Sequence, residues 1–239
     1  MIQLFVVFHK YIFDDCYRNI PSDILYTYFT FIAVNEKIPK AYSQNKYKVI
    51  NEWELPHYDP TFQQRGYNEN SAIYHVYANN LHKNYTYVGF FQYDMVFNNN
   101  IVDYLLANIT EKPVYFNLGT RNFNFCSYES WNGGKEEKTL NFIVNDYEQF
   151  FNTTFDKSLG YPLWNTYVIP VENYERIMRW ITQLYSKLYP WCNQEPNHTG
   201  PAHIGSIYER IMAYAVANEK LPTLPMNISH EYFFKSHSY

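Results

Sequence analysis

The chain has 239 residues, a formal net charge of −4 and an aromatic content of 21%, with 26 Tyr and 18 Phe. That length allows one large domain with a substantial core, and the composition is neither disordered nor fibrous. No Lys/Arg cluster is present, which argues against a nucleic-acid protein whose affinity rests on phosphate neutralisation.

Cys16, Cys126 and Cys192 are far apart and odd in number, so they offer neither zinc spacing nor a disulfide framework. The apolar start MIQLFVVF stops at His9. It lacks a basic flank and a small-residue cleavage site, so it does not read as a signal peptide. No apolar run approaches the roughly 20 residues that span a membrane. Sequons begin at Asn84, Asn108, Asn152, Asn197 and Asn227, and without a secretory signal they read as chance in an Asn-rich chain. The expectation is a cytoplasmic, reducing compartment. The excess of Tyr, Asn, Phe and Ile fits an AT-rich coding bias. A tyrosine-rich surface would also suit sugar binding, because sugar CH faces stack on rings.

In chain order, residues 2–8 are a Val- and Phe-rich run, the pattern of a buried parallel strand. It hands over to a loop at His9, Lys10 and Tyr11. Residues 21–34 are apolar without a readable period, and residues 47–54 alternate loosely, as a strand would. Residues 67–82 place Ala72, Ile73, Val76 and Tyr77 on one helical face, with Asn68 as N-cap. Residues 85–91 read as a strand, residues 100–109 as a short helix capped by Asn98–Asn100, and residues 113–118 as a further strand. Gly133-Gly134 marks a turn or hinge in an irregular stretch over 120–160, within which residues 141–152 are a candidate helix. Residues 163–169 read as a strand, and Pro170 opens a helix over 171–188. A polar loop containing Pro190, Pro196, Gly200 and Pro201 follows, then a last helix over 204–219. The tail, 221–239, has no clear pattern.

Strands alternating with helices predict an α/β fold, a mixed, mostly parallel sheet flanked by helices in the Rossmann-like manner. Nothing divides the chain, so residues 1–239 are expected to form a single domain. In open α/β sheets the ligand sits beyond the carboxyl ends of the strands, which points to His9–Tyr11 and Gln92–Asp94.

Asp94 lies between Phe90-Phe91 and Met95-Val96-Phe97. An unpaired carboxylate in apolar surroundings is very costly. Asp94 is therefore either an ordinary turn carboxylate or a ligand for a divalent cation that bridges to phosphate oxygens. Glu69 is either a first-turn acid favoured by the helix dipole or a site residue, with Arg65 nearby to meet a phosphate. Glu209 is either an ion-pair partner within an apolar helix or a catalytic carboxylate. His198 and His203 are either solvated loop residues or part of a metal site. The chain contains no G-x-S-x-G, Walker loop, H-E-x-x-H or G-x-G-x-x-G.

Five stretches, in order, carry a resemblance: Val6-Val7-Phe8-His9-Lys10; Asn68-Glu69-Asn70-Ser71-Ala72-Ile73-Tyr74; Tyr87-Val88-Gly89-Phe90-Phe91-Gln92-Tyr93-Asp94; Trp164-Asn165-Thr166-Tyr167-Val168-Ile169; and Gly205-Ser206-Ile207-Tyr208-Glu209-Arg210-Ile211. Together they resemble the DUF4422-type glycosyltransferases, a GT-A-like group of capsule loci and large DNA viruses. The chain departs from that pattern at Gln92-Tyr93-Asp94, which looks closer to the D-x-D motif of metal-dependent GT-A enzymes with Gln in place of the first Asp.

The resemblance implies a GT-A-like enzyme that moves a sugar from a UDP-, GDP- or dTDP-sugar donor to a glycan or glycoprotein acceptor with Mn²⁺ or Mg²⁺. It implies a nucleotide-sugar half over about residues 1–118 and an acceptor half over about 119–239. Asp94, with His198 or His203, would hold the metal. Phe8, His9, Lys10, Tyr11, Arg65, Glu69, Asn70, Gln92 and Tyr93 would line the donor. Trp131, Trp164 and Asn165 would face the acceptor. Glu209, Asp146 and Asp156 are candidates for a general base. The competing expectations are a sugar-binding module of the same fold and a structural protein of a virion.

Overall fold

The structure is a computed structural model, and it describes residues 1–9, 12–34, 46–64, 69–98, 100–109, 113–122, 137–162, 164–194 and 201–229. Its first strand, β1 (Ile2–Phe8), is buried at all seven positions, as a central strand covered on both faces must be. Around it stand β2 (Phe29–Ala33), β3 (Val49–Asn51), β4 (Tyr87–Gln92), β6 (Tyr115–Asn117), β9 (Tyr167–Pro170) and β10 (Thr223–Pro225). The sheet order is β10-β6-β9-β4-β1-β2-β3. β9 alone runs against its neighbours β4 and β6; the other pairs are parallel. The predicted mixed, mostly parallel α/β sheet is therefore what forms. Two short antiparallel ladders flank it, β5 (Val96–Phe97) with β11 (Ile228–Ser229) and β7 (Thr120–Asn122) with β8 (Gly160–Pro162).

Alternation along β1 feeds two cores. Phe5 and Val7 face one side, with Val88 and Phe90 of β4. There they meet α3 (Glu69–Ala78), α5 (Glu137–Phe151), α6 (Val171–Gln194) and α7 (Pro201–Asn218), through residues such as Ile73, Tyr147, Ile177, Ile181 and Ile211. Leu4, Val6, Phe8 and Phe91 face the other side, the lower core. They pack on the 3-10 turn Asp14–Tyr17, α1 (Ser22–Tyr28) and α4 (Ile101–Asn108). A short helix, α2 (Thr61–Gln64), precedes α3. Each large apolar side chain so buried contributes about 1.5–3 kcal/mol, which makes the two faces the main source of stability.

Several expectations change. Residues 21–34 hold both α1 and β2, joined without a loop: the Phe29 amide donates back to Leu25 while Phe29 is already extended. Helix α6 runs past the expected stop near residue 188 to Gln194, with Pro190 inside it. The Trp191 ring stacks on Phe142 of α5 at 4.7 Å and 9°, anchoring a last turn that proline would otherwise weaken. Asn100 stands at the N-cap of α4 but makes no side-chain capping bond. Asn98 instead donates its amide to the Asn227 carbonyl, which ties the patternless tail to the β5 ladder. The expected cap Asn68 lies outside the described residues. No helix of the described residues is long and apolar enough to cross a membrane.

Candidate functional site at the carboxyl ends of the central strands

β1 and β4 are parallel and paired Val7 to Gln92, so His9 and Asp94 leave the sheet side by side. β9 runs the other way and pairs Tyr167 with Phe90. Asn165 stands in the turn just before β9. The antiparallel strand thus brings residues 164–165 to the end of the sheet where β1 and β4 release theirs.

Asp94 is 2% exposed. It occupies a tight turn in which the Met95 amide donates to the Gln92 carbonyl at 3.4 Å. Met95 and Phe97 then return to the lower core, which explains why the sequence is apolar on both sides of the carboxylate. The turn is buttressed from below. Tyr17 donates its hydroxyl to the Tyr93 carbonyl at 3.1 Å, while the Tyr93 ring takes His9 edge-on at 4.9 Å and Phe13 stacked at 5.6 Å.

Glu69 opens α3 and is half-buried. Burial pushes its carboxyl above the ordinary range, and the Asp94 charge pushes it further, against a backbone hydrogen bond that lowers it. Burial, first, and then Cys16, Tyr47 and Asp94 raise the Tyr17 hydroxyl well above its usual value. Glu69 and Asp94, 25 positions apart in the chain, therefore lie within one electrostatic field.

Beside this pair runs a chain of amides. Asn70, buried in the first turn of α3, donates Nδ2 to the Gly205 carbonyl of α7 at 3.2 Å. Asn165, 4% exposed, donates Nδ2 to Asn70 Oδ1 at 3.3 Å. Asn165 Oδ1 is buried and has no hydrogen-bond partner among the described residues. Trp164 and Asn165 both have left-handed backbone, with φ of 50° and 49°. Such strain in consecutive non-glycine residues persists only where the surroundings over-determine it, and it clusters at ligand sites.

The other expected residues divide. Phe8 is fully buried in the lower core, so its side chain has no surface to offer a ligand, and its carbonyl accepts from Val34. Gln92 and His9 are half-buried at the strand ends, and Trp164 packs half-buried on the lower core. Glu209 is half-buried, one helical turn beyond Gly205 and on the same face of α7. Asp146 is engaged in helix packing instead: it accepts from Trp180 Nε1 at 3.0 Å and from Lys187 Nζ at 2.5 Å. Asp156 accepts from the Ser158 hydroxyl and amide, bonds that hold its carboxyl below the usual range. Lys10, Tyr11, Arg65, Trp131 and His198 lie outside the described residues, as does the side chain of His203 within α7.

Among the described residues no group of three or more His, Cys, Asp and Glu is placed to hold a metal ion. Asp94 and Glu69, the charge of the first raising the carboxyl of the second, nevertheless offer the oxygen donors that Mg²⁺ and Mn²⁺ prefer, cations that take much of their coordination from a bound diphosphate. Sequence reasoning missed the Tyr17 buttress and the Gly205 carbonyl. Both act through geometry that no local pattern carries.

No family model matches the chain, and no curated protein matches it. Among solved structures it is similar to the bifunctional glycosyltransferase WbbM in its apo form, at 14% identity and a TM-score of 0.59 over 95% of this chain. The chain spans 45% of that structure's length. Core-mannan synthase A of Aspergillus fumigatus, in a Mn/GDP form, matches at 11% identity and a TM-score of 0.41, over 96% of this chain and 74% of that one. The likeness to WbbM is one of fold: the chain shares an α/β fold with part of that glycosyltransferase, and the likeness does not reach the narrower DUF4422 group or a viral source.

Proposed function

We propose that this protein is a glycosyltransferase that takes a sugar from a nucleoside-diphosphate donor and passes it to a hydroxyl of a glycan acceptor. The observation that carries the reading is the Asp94–Glu69 carboxylate pair at the carboxyl ends of β1 and β4, with Asn165, just before the antiparallel strand, alongside. Ligands of open α/β sheets bind at this end. Fold alone does not decide activity; the residues of the site do.

In this reading the nucleoside lies over β1 and β2, the diphosphate at Asp94, and the sugar toward Asn165. Asp94 and Glu69 would hold a divalent cation there, as carboxylates that repel each other until a cation joins them. Bound, the cation neutralises charge on the leaving diphosphate. His9, packed edge-on to Tyr93, borders the diphosphate on the β1 side. The acceptor oxygen forms its bond to the anomeric carbon as the bond from that carbon to the phosphate oxygen breaks. The nucleoside diphosphate departs with the electron pair. Glu209, on the face of α7 that meets α3, takes the acceptor's proton.

A thermal-shift screen of UDP-, GDP- and dTDP-sugars, each with and without Mn²⁺, tests this, since a ligand of the native state raises its apparent stability. The expected outcome is a nucleotide-specific rise that needs metal and is lost in Asp94→Ala. A flat response from folded protein would defeat the proposal. A second reading, sugar binding without transfer, draws on Gln92 standing where a second acid would be. It predicts the same thermal shift with no nucleoside diphosphate released on adding acceptor.

A further inference from the structure

We infer that Asn165 is the residue that reads a hydroxyl of the transferred sugar, and that the Gly205–Asn70–Asn165 amide chain fixes it as a hydrogen-bond acceptor. The inference rests on the glycosyltransferase reading and adds the polarity and the place of one contact in that site.

The polarity follows from the direction of the chain. A backbone carbonyl can only accept, so Asn70 must turn its NH₂ to Gly205. Its own carbonyl oxygen is thereby presented to Asn165, which must answer with its NH₂. The remaining atom of Asn165 is Oδ1, buried and without a partner among the described residues. Reversing either amide would set oxygen against oxygen or NH₂ against NH₂. A buried, unmatched amide oxygen lowers stability, because it has given up water for no partner. Here it stands on the second of two consecutive left-handed residues. The atom calls for a donor. At a site bordered by two carboxylates, a neutral hydroxyl supplies one without adding negative charge.

The place follows from topology. β1 lies on one side of β4 and β9 on the other. With a diphosphate at Asp94 and the nucleoside on the β1 side, the group over the start of β9 is the sugar. In this reading Asn165, just before β9, meets the donor's sugar rather than the acceptor.

The test compares each nucleotide sugar with its own free diphosphate: UDP-glucose and UDP-galactose with UDP, GDP-mannose with GDP, and dTDP-glucose with dTDP. Wild-type protein is expected to prefer one nucleotide sugar over its diphosphate. In Asn165→Ala that preference falls roughly 10-fold or more while diphosphate affinity is kept, the loss expected for one buried hydrogen bond. The wild-type protein supplies a second arm should the variant fail to fold. Donors deoxygenated at one sugar position at a time are expected to lose affinity sharply at a single position, and folded Asn165→Ala is expected not to distinguish that analogue from the parent. An unchanged sugar-to-diphosphate preference in folded Asn165→Ala would overturn the inference and leave the transferase reading standing. So would even tolerance of every deoxy donor by wild type. Absence of binding to any diphosphate would remove both.

Discussion

Gly89 sits in the middle of β4, the strand that carries Asp94, between β1 and β9. A Cβ added there would lie 2.8 Å from Val168 Cγ2, 2.9 Å from Leu4 Cδ2 and 3.0 Å from Phe91 Cε2. Leu4 belongs to one neighbouring strand and Val168 to the other, so the methyl group would press both away from β4. Overpacking of this kind costs about 1–3 kcal/mol. At roughly 2–4 °C per kcal/mol for a chain of this size, Gly89→Ala should lower Tm by about 2–12 °C. Val168→Ala alone removes buried methyl groups and should destabilise by about 1–3 kcal/mol. Combined, the two changes should cost less than their sum by about 0.5–1 kcal/mol, because the shorter residue 168 vacates the space that the new methyl needs. Denaturant unfolding of the four proteins gives that coupling directly. If Gly89→Ala is neutral, or the double variant is strictly additive, the close approach of β1 and β9 to Gly89 is not the constraint argued here. The same strands carry His9, Asp94 and Asn165 to the site, so the variant should also weaken donor binding in proportion to its structural damage.

Other expectations concern the carboxylates. Glu69 has a raised folded-state pKa through burial and the Asp94 charge. Its ionised form therefore burdens the native state above that pKa, and the burden vanishes below the unfolded value of about 4.3. In metal-free buffer Glu69→Gln should thus gain stability relative to wild type at pH 7–8, by the linkage sign just given, with the gain shrinking as the medium is acidified. A difference that grows toward acid would contradict the electrostatic account. Glu52 and His75, each 1% exposed at the side chain, pair at 2.7 Å under α3. Ser71 donates to the same carboxylate oxygen, and Gln63 donates to the other at 2.9 Å. Glu52→Ala strands all three partners and should cost about 3–5 kcal/mol in urea unfolding; a loss under about 1 kcal/mol would show that the cluster relaxes onto other partners.

Legibility in the sequence followed the range of the interactions. β1, β4, β9 and the stripe of α6 could be read because their apolar periods answer to burial on one face or two, which is a local demand on composition. Asp94 stood out for the same reason, as a charge in a stretch that otherwise leaves water. The junction of α1 with β2 was unreadable, since Phe29, Phe31 and Ile32 suit either element. The tail was unreadable too, because β10 and β11 are pairings of two or three residues whose partners lie more than 100 positions earlier. The sequence by itself determined an α/β sheet with a carboxylate at the end of β4. Only the tertiary structure decided that β9 runs antiparallel beside that strand. That single reversal sets Asn165 next to Asn70 at the end of the sheet where β1 and β4 release Asp94, because strand direction governs which end of each segment comes there.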